Sequence, residues 1–423
     1  MPDVNSTELR SLAYFRQVVA PVLSGPLGRS FWTHMVHQAA HQDLAARHAA
    51  VAIGALYEQL GQSPRDSRVP FDSSFALRHY NRAIKSITAL KAPNPSDLDT
   101  VLLVCILFAC IEFLQGGIES ALQHCRHGTR ILNFHTPKPE LLPILRHLSI
   151  FPLLFTKKLP DHLPSADQCP AAPESFQSVA EAQEALDVLT YRLVGLSRVR
   201  DHYSASSASS SRHLAPLITE QQRVIRDLDA WQSAMTKLRS RKPIPQAHET
   251  IDRILQARWT TGITWATACL DHGECVYDAY MDRFERVIEL ASHAVPTTGS
   301  PSLKTPKFTF EMGFASAVYF VAIKCRHLPL RLKALSMLGT VSCLKETMWD
   351  RNDMKMVAQG IIEQEHDIKL TPEKIEEIMV MRECPPMPAE DRRIGDSGQG
   401  EDAGQGVGET ESATKMIFHL SVS

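Results

Sequence analysis

The sequence lacks the features that mark a secreted or membrane-bound protein. The N-terminus, MPDVNSTELRSL, has no basic segment followed by an apolar one, so no secretory signal is predicted. None of the nine cysteines has a C-x2-C partner, and several lie inside helical patterns, which indicates buried, reduced thiols of an intracellular protein. The net charge of −2 gives no basic field that would attract nucleic acid or an anionic membrane.

Long apolar runs are equally scarce. The one candidate for a membrane span, Val101–Leu114, is shorter than the ~20 residues that a span needs, and it contains Glu112. A short run that is apolar on every side of a helix is typical of a helix covered all round by its neighbours. We therefore predict a buried central helix, followed after Gly116-Gly117 by an amphipathic partner that ends at Leu132.

Strand-like alternation is also missing, and apolar residues recur instead at helical spacing along the chain. Proline and glycine separate the helical stretches, and Pro21 is expected to end the first of them. The prediction is an all-α fold: an irregular multi-helix domain of packed antiparallel helix pairs. The helices are expected near residues 6–20, 30–41, 43–60, 73–90, 98–132, 140–147, 178–199, 219–238, 249–291, 310–326, 328–338, 350–367 and 371–381.

The same pattern predicts one helical domain over residues 1–383. Internal loops are expected where proline, serine or threonine accumulate. A Gly-, Asp- and Glu-rich tail over 384–423 is predicted to be mostly disordered, because it has too few apolar residues to form a core. The predicted internal loops are 152–177, 203–213 and 294–307.

Catalytic motifs are absent from the sequence. It contains no H-E-x-x-H, G-x-S-x-G, Walker or calcium-loop pattern, so no catalytic, cofactor-binding or metal-ligating residue is predicted. Cys269 and Cys275 flank a histidine, but no third group is indicated that would orient a Cys–His nucleophile. Two histidine groups are expected to be plain polar surface, because no Cys or carboxylate at a ligand spacing accompanies them: His34, His37 and His41, and His124 with His127.

Two polar features receive specific predictions. Glu112 lies within the apolar helix, where a carboxylate needs a partner, and Arg126 or Arg130 on the following helix is predicted to form a structural ion pair with it. The only compact basic cluster of the sequence is a candidate nuclear import signal, or a contact for an acidic partner. This basic cluster consists of Lys237, Arg239, Arg241 and Lys242.

Three long stretches together resemble the fungal-specific transcription factor domain. This is the helical regulatory region that follows a six-cysteine binuclear zinc cluster in many fungal regulators. The resemblance covers about residues 8–368, and its most specific part is the string Cys325-Arg326-His327 with Arg331 and Ala334. The three stretches are FWTHMVHQAAHQDLAARHAAVAIGAL (31–56), LLVCILFACIEFLQGGIESALQHCRHGTRIL (102–132) and FTFEMGFASAVYFVAIKCRHLPLRLKALSML (308–338).

The resemblance implies a nuclear regulator of transcription whose helical region carries no catalytic residues. In that family a C-x2-C-x6-C module reads DNA, whereas the first cysteine here is Cys105, so the chain is expected to act without its own zinc cluster. Its expected partners are other regulators or a second copy. A helical scaffold or small-molecule sensor that does not act at promoters is the main alternative. An enzyme is disfavoured, and an upstream exon could encode the zinc cluster.

Overall fold

The computed structural model describes most of the chain, which divides into two compact units. Unit 1 comprises Met1–Pro152, Lys304–Met312 and Cys343–Met348, and unit 2 comprises Leu153–Leu303, Gly313–Ser342 and Trp349–Ser423. The prediction of one domain over 1–383 stays a prediction. The described residues are 6–25, 30–61, 74–89, 95–155, 173–205, 214–271, 273–293, 306–341, 343–381 and 385–392.

Unit 1 is a bundle of packed helices with a two-residue parallel strand pair. Helix α4 packs against α5, α6, α3 and α1, and α6 packs against α7. Strand β1 (Phe308–Thr309) pairs with β2 (Lys345–Glu346) in parallel. The helices are α1 (Ser6–Tyr14), α2 (Ala20–Leu23), α3 (Val36–Gln42), α4 (Leu44–Gly61), α5 (Ser74–Thr88), α6 (Pro95–Gln115), α7 (Ile118–Leu132) and α8 (Leu142–Leu154), of which only the last two residues of α8 fall in unit 2.

The central helix is buried as its composition predicts. Every residue of α6 from Leu102 to Leu114 is buried except Cys105, which is half-buried. Gly116, with φ +83°, turns the chain, and Gly117 precedes α7. An L-residue rarely adopts such a φ, so glycine suits this turn. The turn folds α7 back along α6, which forms the predicted antiparallel pair.

Proline does not end helices at the two places where the sequence suggests it. The first helical stretch continues past Pro21 to Leu23, because a π-helical turn at Phe15–Val19 comes just before it. The Ala20 N–H bonds to the Phe15 carbonyl, five residues back, and Pro21 then occupies the first turn of α2, where a missing N–H is tolerated. Helix α8 likewise contains Pro152 and ends at Leu154.

Unit 2 is also helical, and its helices α9, α10 and α11 pack on one another. The predicted helix over 249–291 is interrupted: a 3₁₀ segment, Glu274–Tyr280, separates α11 from α12, next to Gly273. The helices are α9 (Val179–Ala205), α10 (Leu214–Arg241), α11 (Glu249–Ala268), α12 (Met281–Ser292), α13 (Ala315–Lys324), α14 (Leu328–Leu338), α15 (Arg351–His366) and α16 (Pro372–Val380), with a short strand β3 (Trp349–Asp350).

The all-α prediction is confirmed for the described ranges, where the strands are only two residues long. Residues 203–205, predicted as loop, belong to α9, because alanine and serine can extend a helix that is already formed. Of the predicted loops and tail, residues 156–172, 206–213, 294–305, 384 and 393–423 lie outside the described part. Among the described helices, none is long and apolar enough to cross a membrane.

Candidate functional site

Three helices of unit 1 bring two histidines and a carboxylate together. Glu8 of α1, His48 of α4 and His79 of α5 each present one potential ligand atom, and these atoms lie within 4.8 Å of one another. The two imidazoles face each other through their Nδ1 atoms, which are 3.1 Å apart. Glu8 and His79 are buried and His48 is half-buried. We call these three side chains the His–Glu cluster.

The local sequence explains why α1 lies so close to α4. A Cβ atom at Gly54 would lie only 2.5 Å from the Ser11 carbonyl oxygen, so glycine permits this close approach of the two helices. Arg10 of α1 holds Glu58 of α4 through two hydrogen bonds of 2.9 and 3.0 Å. Together these contacts fix the turn of α1 that carries Glu8 against α4.

Burial keeps both imidazoles of the His–Glu cluster neutral. Burial, with smaller contributions from His48, Arg82 and Arg78, lowers the pKa of His79 to about 4. Burial also lowers the pKa of His48, although the Coulombic attraction of Glu8 acts in the opposite direction. Because the neutral form dominates at pH 7, one Nδ1 can donate a hydrogen bond to the other.

A second buried polar group includes Tyr80, the residue of α5 that follows His79. The Tyr80 hydroxyl donates to Glu112 Oε1 at 2.7 Å and lies 3.2 Å from His124 Nε2. Burial raises the pKa of Glu112, although the Tyr80 hydrogen bond opposes that shift. Burial, followed by the Glu112 interaction, raises the pKa of Tyr80. We call Tyr80, Glu112 and His124 the tyrosine cluster. The Tyr80 hydroxyl donates a hydrogen bond to a carboxylate that would otherwise be buried without a partner.

The structure gives Glu112 a partner other than the predicted Arg126 or Arg130, namely the Tyr80 hydroxyl. Arg126 pairs with Glu119 of its own helix at 3.2 Å, and Arg130 is exposed. The reason is the orientation of α7, which buries Ala121, Leu122, Cys125 and Gly128. Both arginines lie off that buried face, whereas His124 beside it reaches the Tyr80 hydroxyl.

The other histidines divide between the surface and the interior. His37 and His41 are one turn apart on α3, with 3.4 Å between their Nε2 atoms, and His41 is exposed. His127 is exposed as predicted. His124 is half-buried, so its assignment to plain surface is wrong, because the tyrosine cluster occupies that side of α7.

Cys269 and Cys105 do not have the environment of a nucleophile. Burial raises the pKa of Cys269 to about 12, with smaller opposing effects from Arg200 and neighbouring hydrogen bonds. Burial also raises the pKa of Cys105 to about 12. A thiol becomes nucleophilic when its pKa is lowered, so these two shifts are in the wrong direction. The histidine between Cys269 and Cys275 is outside the described residues.

The basic cluster lies at the C-terminal end of α10 in unit 2, and three of its four side chains make contacts there. Arg239 bonds Asp252 of α11 at 2.6 Å. The Arg241 guanidinium donates to the Phe176 carbonyl at 3.1 Å, and the Lys237 ammonium to the Glu174 carbonyl at 3.2 Å. Lys242 is exposed. These contacts give the basic residues a structural role besides any role in import.

Sequence reasoning missed both buried clusters. Residues 8, 48 and 79 are far apart, and no ligand spacing relates them. A weak signal was present, because His48 interrupts the alanine-rich stretch of α4, and His79 lies between the apolar residues Phe75 and Ala83 of α5. A histidine on an apolar helix face indicates burial, but it does not identify the group that it meets.

Comparisons with known proteins find a family match over the N-terminal helices. Residues 10–152 match the fungal specific transcription factor domain, which confirms the resemblance over that stretch. A 99-residue stretch is 40% identical to the aspercryptin biosynthesis cluster-specific transcription regulator atnN of Emericella nidulans. This alignment covers 22% of the chain and only 16% of that relative. No solved structure matches the chain.

Proposed function

We propose, from the fungal-specific transcription factor domain in residues 10–152, that this protein regulates transcription in the nucleus. Its targets are a fungal metabolic or biosynthetic gene set. The similar protein of Emericella nidulans is named for a biosynthesis cluster, which supports that class of target. The match to the family domain is the observation that carries the proposal.

The mode of action follows from what these 423 residues offer for contact with DNA. They contain no cysteines at C-x2-C spacing, and their net charge is −2. A zinc-supported recognition helix and a basic field are the two means by which such a regulator would hold a promoter. We therefore propose that these residues act through protein contacts, with other regulators or with a second copy as partner.

An enzymatic role is not part of the proposal. The tyrosine cluster contains a carboxylate and an imidazole, but the Tyr80 hydroxyl and Glu112 are buried and bonded to each other. Cys269 and Cys105 have raised pKa values, which disfavours the thiolate. Both observations suit groups that stabilise helix packing better than groups that meet a substrate.

A gene deletion and its complementation test the proposed function. The gene is deleted in the source fungus and restored as a fluorescent fusion, while transcripts and the location of the fusion are recorded. We expect nuclear fluorescence, and a set of biosynthetic transcripts that changes on deletion and recovers on restoration. Cytoplasmic fluorescence with unchanged transcripts would instead support a scaffold or small-molecule sensor that does not act at promoters.

A gel shift with the purified chain tests the proposed mode of action. We expect no shift of promoter fragments from the responsive genes with this chain alone, and a shift when a zinc-cluster regulator is added. Retardation by the chain alone at physiological salt would contradict action through partners. Salt must be controlled, because non-specific binding falls steeply as salt rises.

Nuclear import through the basic cluster needs a test that leaves the fold intact. Arg239 and Arg241 make guanidinium contacts within unit 2, so their replacement would combine two effects. Lys237 is exposed and would give up only its single bond to the Glu174 carbonyl. The variant Lys237→Gln/Lys242→Gln removes the two exposed ammonium groups, and Lys333→Gln/Lys355→Gln is a matched control with two exposed lysines of the same unit. We expect nuclear fluorescence to fall in the first variant only. Equal nuclear fluorescence in both would show that import does not use the cluster.

A further inference from the structure

We propose that the His–Glu cluster of Glu8, His48 and His79 is a binding site for a divalent transition-metal ion of the Zn²⁺ type. The site would join α1, α4 and α5 of unit 1, the unit that includes the matched residues 10–152. It does not depend on the proposed function, because it rests on the positions of these three side chains.

The distance between the two imidazoles is close to what a metal requires. A cation that binds two nitrogens at 2.0–2.1 Å with tetrahedral angles holds those nitrogens about 3.3–3.4 Å apart. The Nδ1 atoms of His48 and His79 are 3.1 Å apart, so a shift of a few tenths of an ångström would admit the ion. The third ligand atom, from Glu8, lies within 4.8 Å of both, which a small side-chain rotation can close.

The ligand types indicate which cations the site would prefer. Imidazole nitrogen suits Zn²⁺, Cu²⁺, Ni²⁺ and Fe²⁺, whereas Mg²⁺ and Ca²⁺ prefer an all-oxygen set. Two histidines and one carboxylate also leave a fourth tetrahedral position for water, as in open zinc sites. A Zn²⁺-type ion is therefore the expected ligand, and Mg²⁺ is the appropriate negative control.

The surrounding contacts hold the ligands in place. The Phe75 ring lies 4.6 Å from that of His79, measured between centroids, and His48 and His79 are 5.0 Å apart by the same measure. Glu8 is fixed by the close approach of α1 to Gly54. Because Glu8 is 8% and His79 3% exposed, little water must leave these two side chains when a metal binds.

Nearby positive charge sets an upper limit on the affinity. Arg82 acts on both histidines, Arg47 acts on His48 and Arg78 acts on His79. These guanidinium groups repel a dication, and Glu8 is the only anionic ligand. We therefore expect a dissociation constant in the micromolar range rather than the tighter binding of an all-cysteine structural site.

The experiment separates this site from the pair formed by His37 and His41 on α3. The full chain is freed of metal by a chelator, and Zn²⁺ is titrated in competition with a chromophoric chelator of micromolar affinity. The variants are Glu8→Gln, His48→Gln and His79→Gln, and the matched control is His37→Gln/His41→Gln, whose Nε2 atoms are 3.4 Å apart. We expect at least tenfold weaker Zn²⁺ binding in each of the three variants, and unchanged binding at this site in the control.

Thermal unfolding provides a second measurement, since a metal that binds only the folded chain raises its Tm. Zn²⁺ should raise the Tm of the parent chain and of the control but not that of Glu8→Gln, and Mg²⁺ should raise none. Circular dichroism verifies that each variant is folded. Glu8→Gln replaces one carboxylate oxygen by an amide nitrogen of nearly the same size. This variant therefore keeps the test valid if a histidine variant does not fold. Zn²⁺ binding lost only in His37→Gln/His41→Gln, or absent from the parent chain, would overturn the proposal.

Discussion

The two compact units bury polar side chains in different ways. In unit 1, Glu112 is bonded to the neutral Tyr80 hydroxyl, and His48 and His79 face each other as neutral rings. In unit 2, buried charges of opposite sign are paired directly. The side chains of Arg331 and Glu365 are 0% and 1% exposed and 2.6 Å apart, and Arg258 holds Asp187 at the same distance.

This difference predicts which substitutions each unit tolerates. Loss of one member of a buried ion pair leaves a full charge in a medium of low dielectric constant, whereas loss of a neutral donor leaves a smaller defect. Unit 2 should therefore be the more sensitive to removal of charge. Unit 1, where α1 approaches α4 closely at Gly54, should be the more sensitive to added volume.

The largest expected effect is in unit 2, at Glu365. The variant Glu365→Ala leaves the Arg331 guanidinium buried with its bond to the Ala322 carbonyl but without its carboxylate. We expect a loss of ~3–5 kcal/mol in the free energy of unfolding, measured by urea titration.

Two further variants sharpen the Glu365 test. Glu289→Ala breaks an exposed pair with Arg286 of equal length and should cost less than ~1 kcal/mol. The double variant Arg331→Met/Glu365→Leu should lose less than the single one, because no charge is left buried. Equal losses for Glu365→Ala and Glu289→Ala would remove the contrast between buried and exposed pairs.

In unit 1 the corresponding variant is Tyr80→Phe, which removes the donor to Glu112. We expect a smaller loss, of ~1–3 kcal/mol, in the same urea measurement. Glu112→Gln should cost less than Tyr80→Phe because it keeps an acceptor and removes the buried charge, and the two changes together should cost less than their sum. An ion pair with Arg126 would instead predict ~3–5 kcal/mol for Glu112→Gln and additivity with Tyr80→Phe.

A methyl group added at a glycine should lower the free energy of unfolding in unit 1 and raise it in unit 2. Gly54→Ala places a Cβ 2.5 Å from the Ser11 carbonyl oxygen, so we expect a loss of ~1–3 kcal/mol as α1 is displaced from α4. Gly360→Ala, inside α15 of unit 2, meets no atom within 4 Å and should gain ~0.5–1 kcal/mol from helix propensity. Thermal unfolding of both variants measures the signs, and a stable Gly54→Ala would disprove the close approach.

The smallest expected effect is the pH dependence contributed by His124. Burial, with a further effect of His127, lowers its pKa to about 4, below the ~6.5 of an unfolded chain. The unfolded state therefore binds more protons, and this contribution to stability is complete above pH ~6.5 and is lost as the pH falls towards 4.

The variant His124→Gln keeps a partner for the Tyr80 hydroxyl but binds no proton. Between pH 6.5 and 4.5 it should lose less stability than the parent chain, by on the order of 1 kcal/mol. The exposed His293→Gln in unit 2 is the control and should follow the parent profile. If the stability of His124→Gln and of the parent chain changed equally with pH, the His124 side chain would be solvated and not buried.

The features that the sequence predicts well are those carried by a single helix. The apolar run around Leu107 requires burial on all sides, and the structure buries it. The turn at Gly116 follows from a local preference of glycine. Patterns of this kind need only the helical period, and they do not depend on how helices are rotated against one another.

The features that could not be predicted depend on three or more helices. Glu112 was expected to have a partner, but the choice between Arg126 and Tyr80 depends on the rotation of α7 and the position of α5. The His–Glu cluster depends on the same kind of information for α1, α4 and α5. Local spacing contains no record of these rotations, so the neighbours of these residues could not be predicted from the sequence.

The π-helical turn at Phe15–Val19 lets the first helical stretch hold one extra residue without changing the angular phase of α1. The turn holds one residue more than an α-helical turn, so each of its residues rotates the chain by less than the ~100° of a regular helix. Deletion of the exposed Gln17 would allow a regular turn and would leave Ser6–Tyr14 close to its present rotation relative to Ala20–Leu23. Glu8 would then still face His48. A one-residue gap between Glu8 and the turn would instead rotate Glu8 by about 100° away from His48.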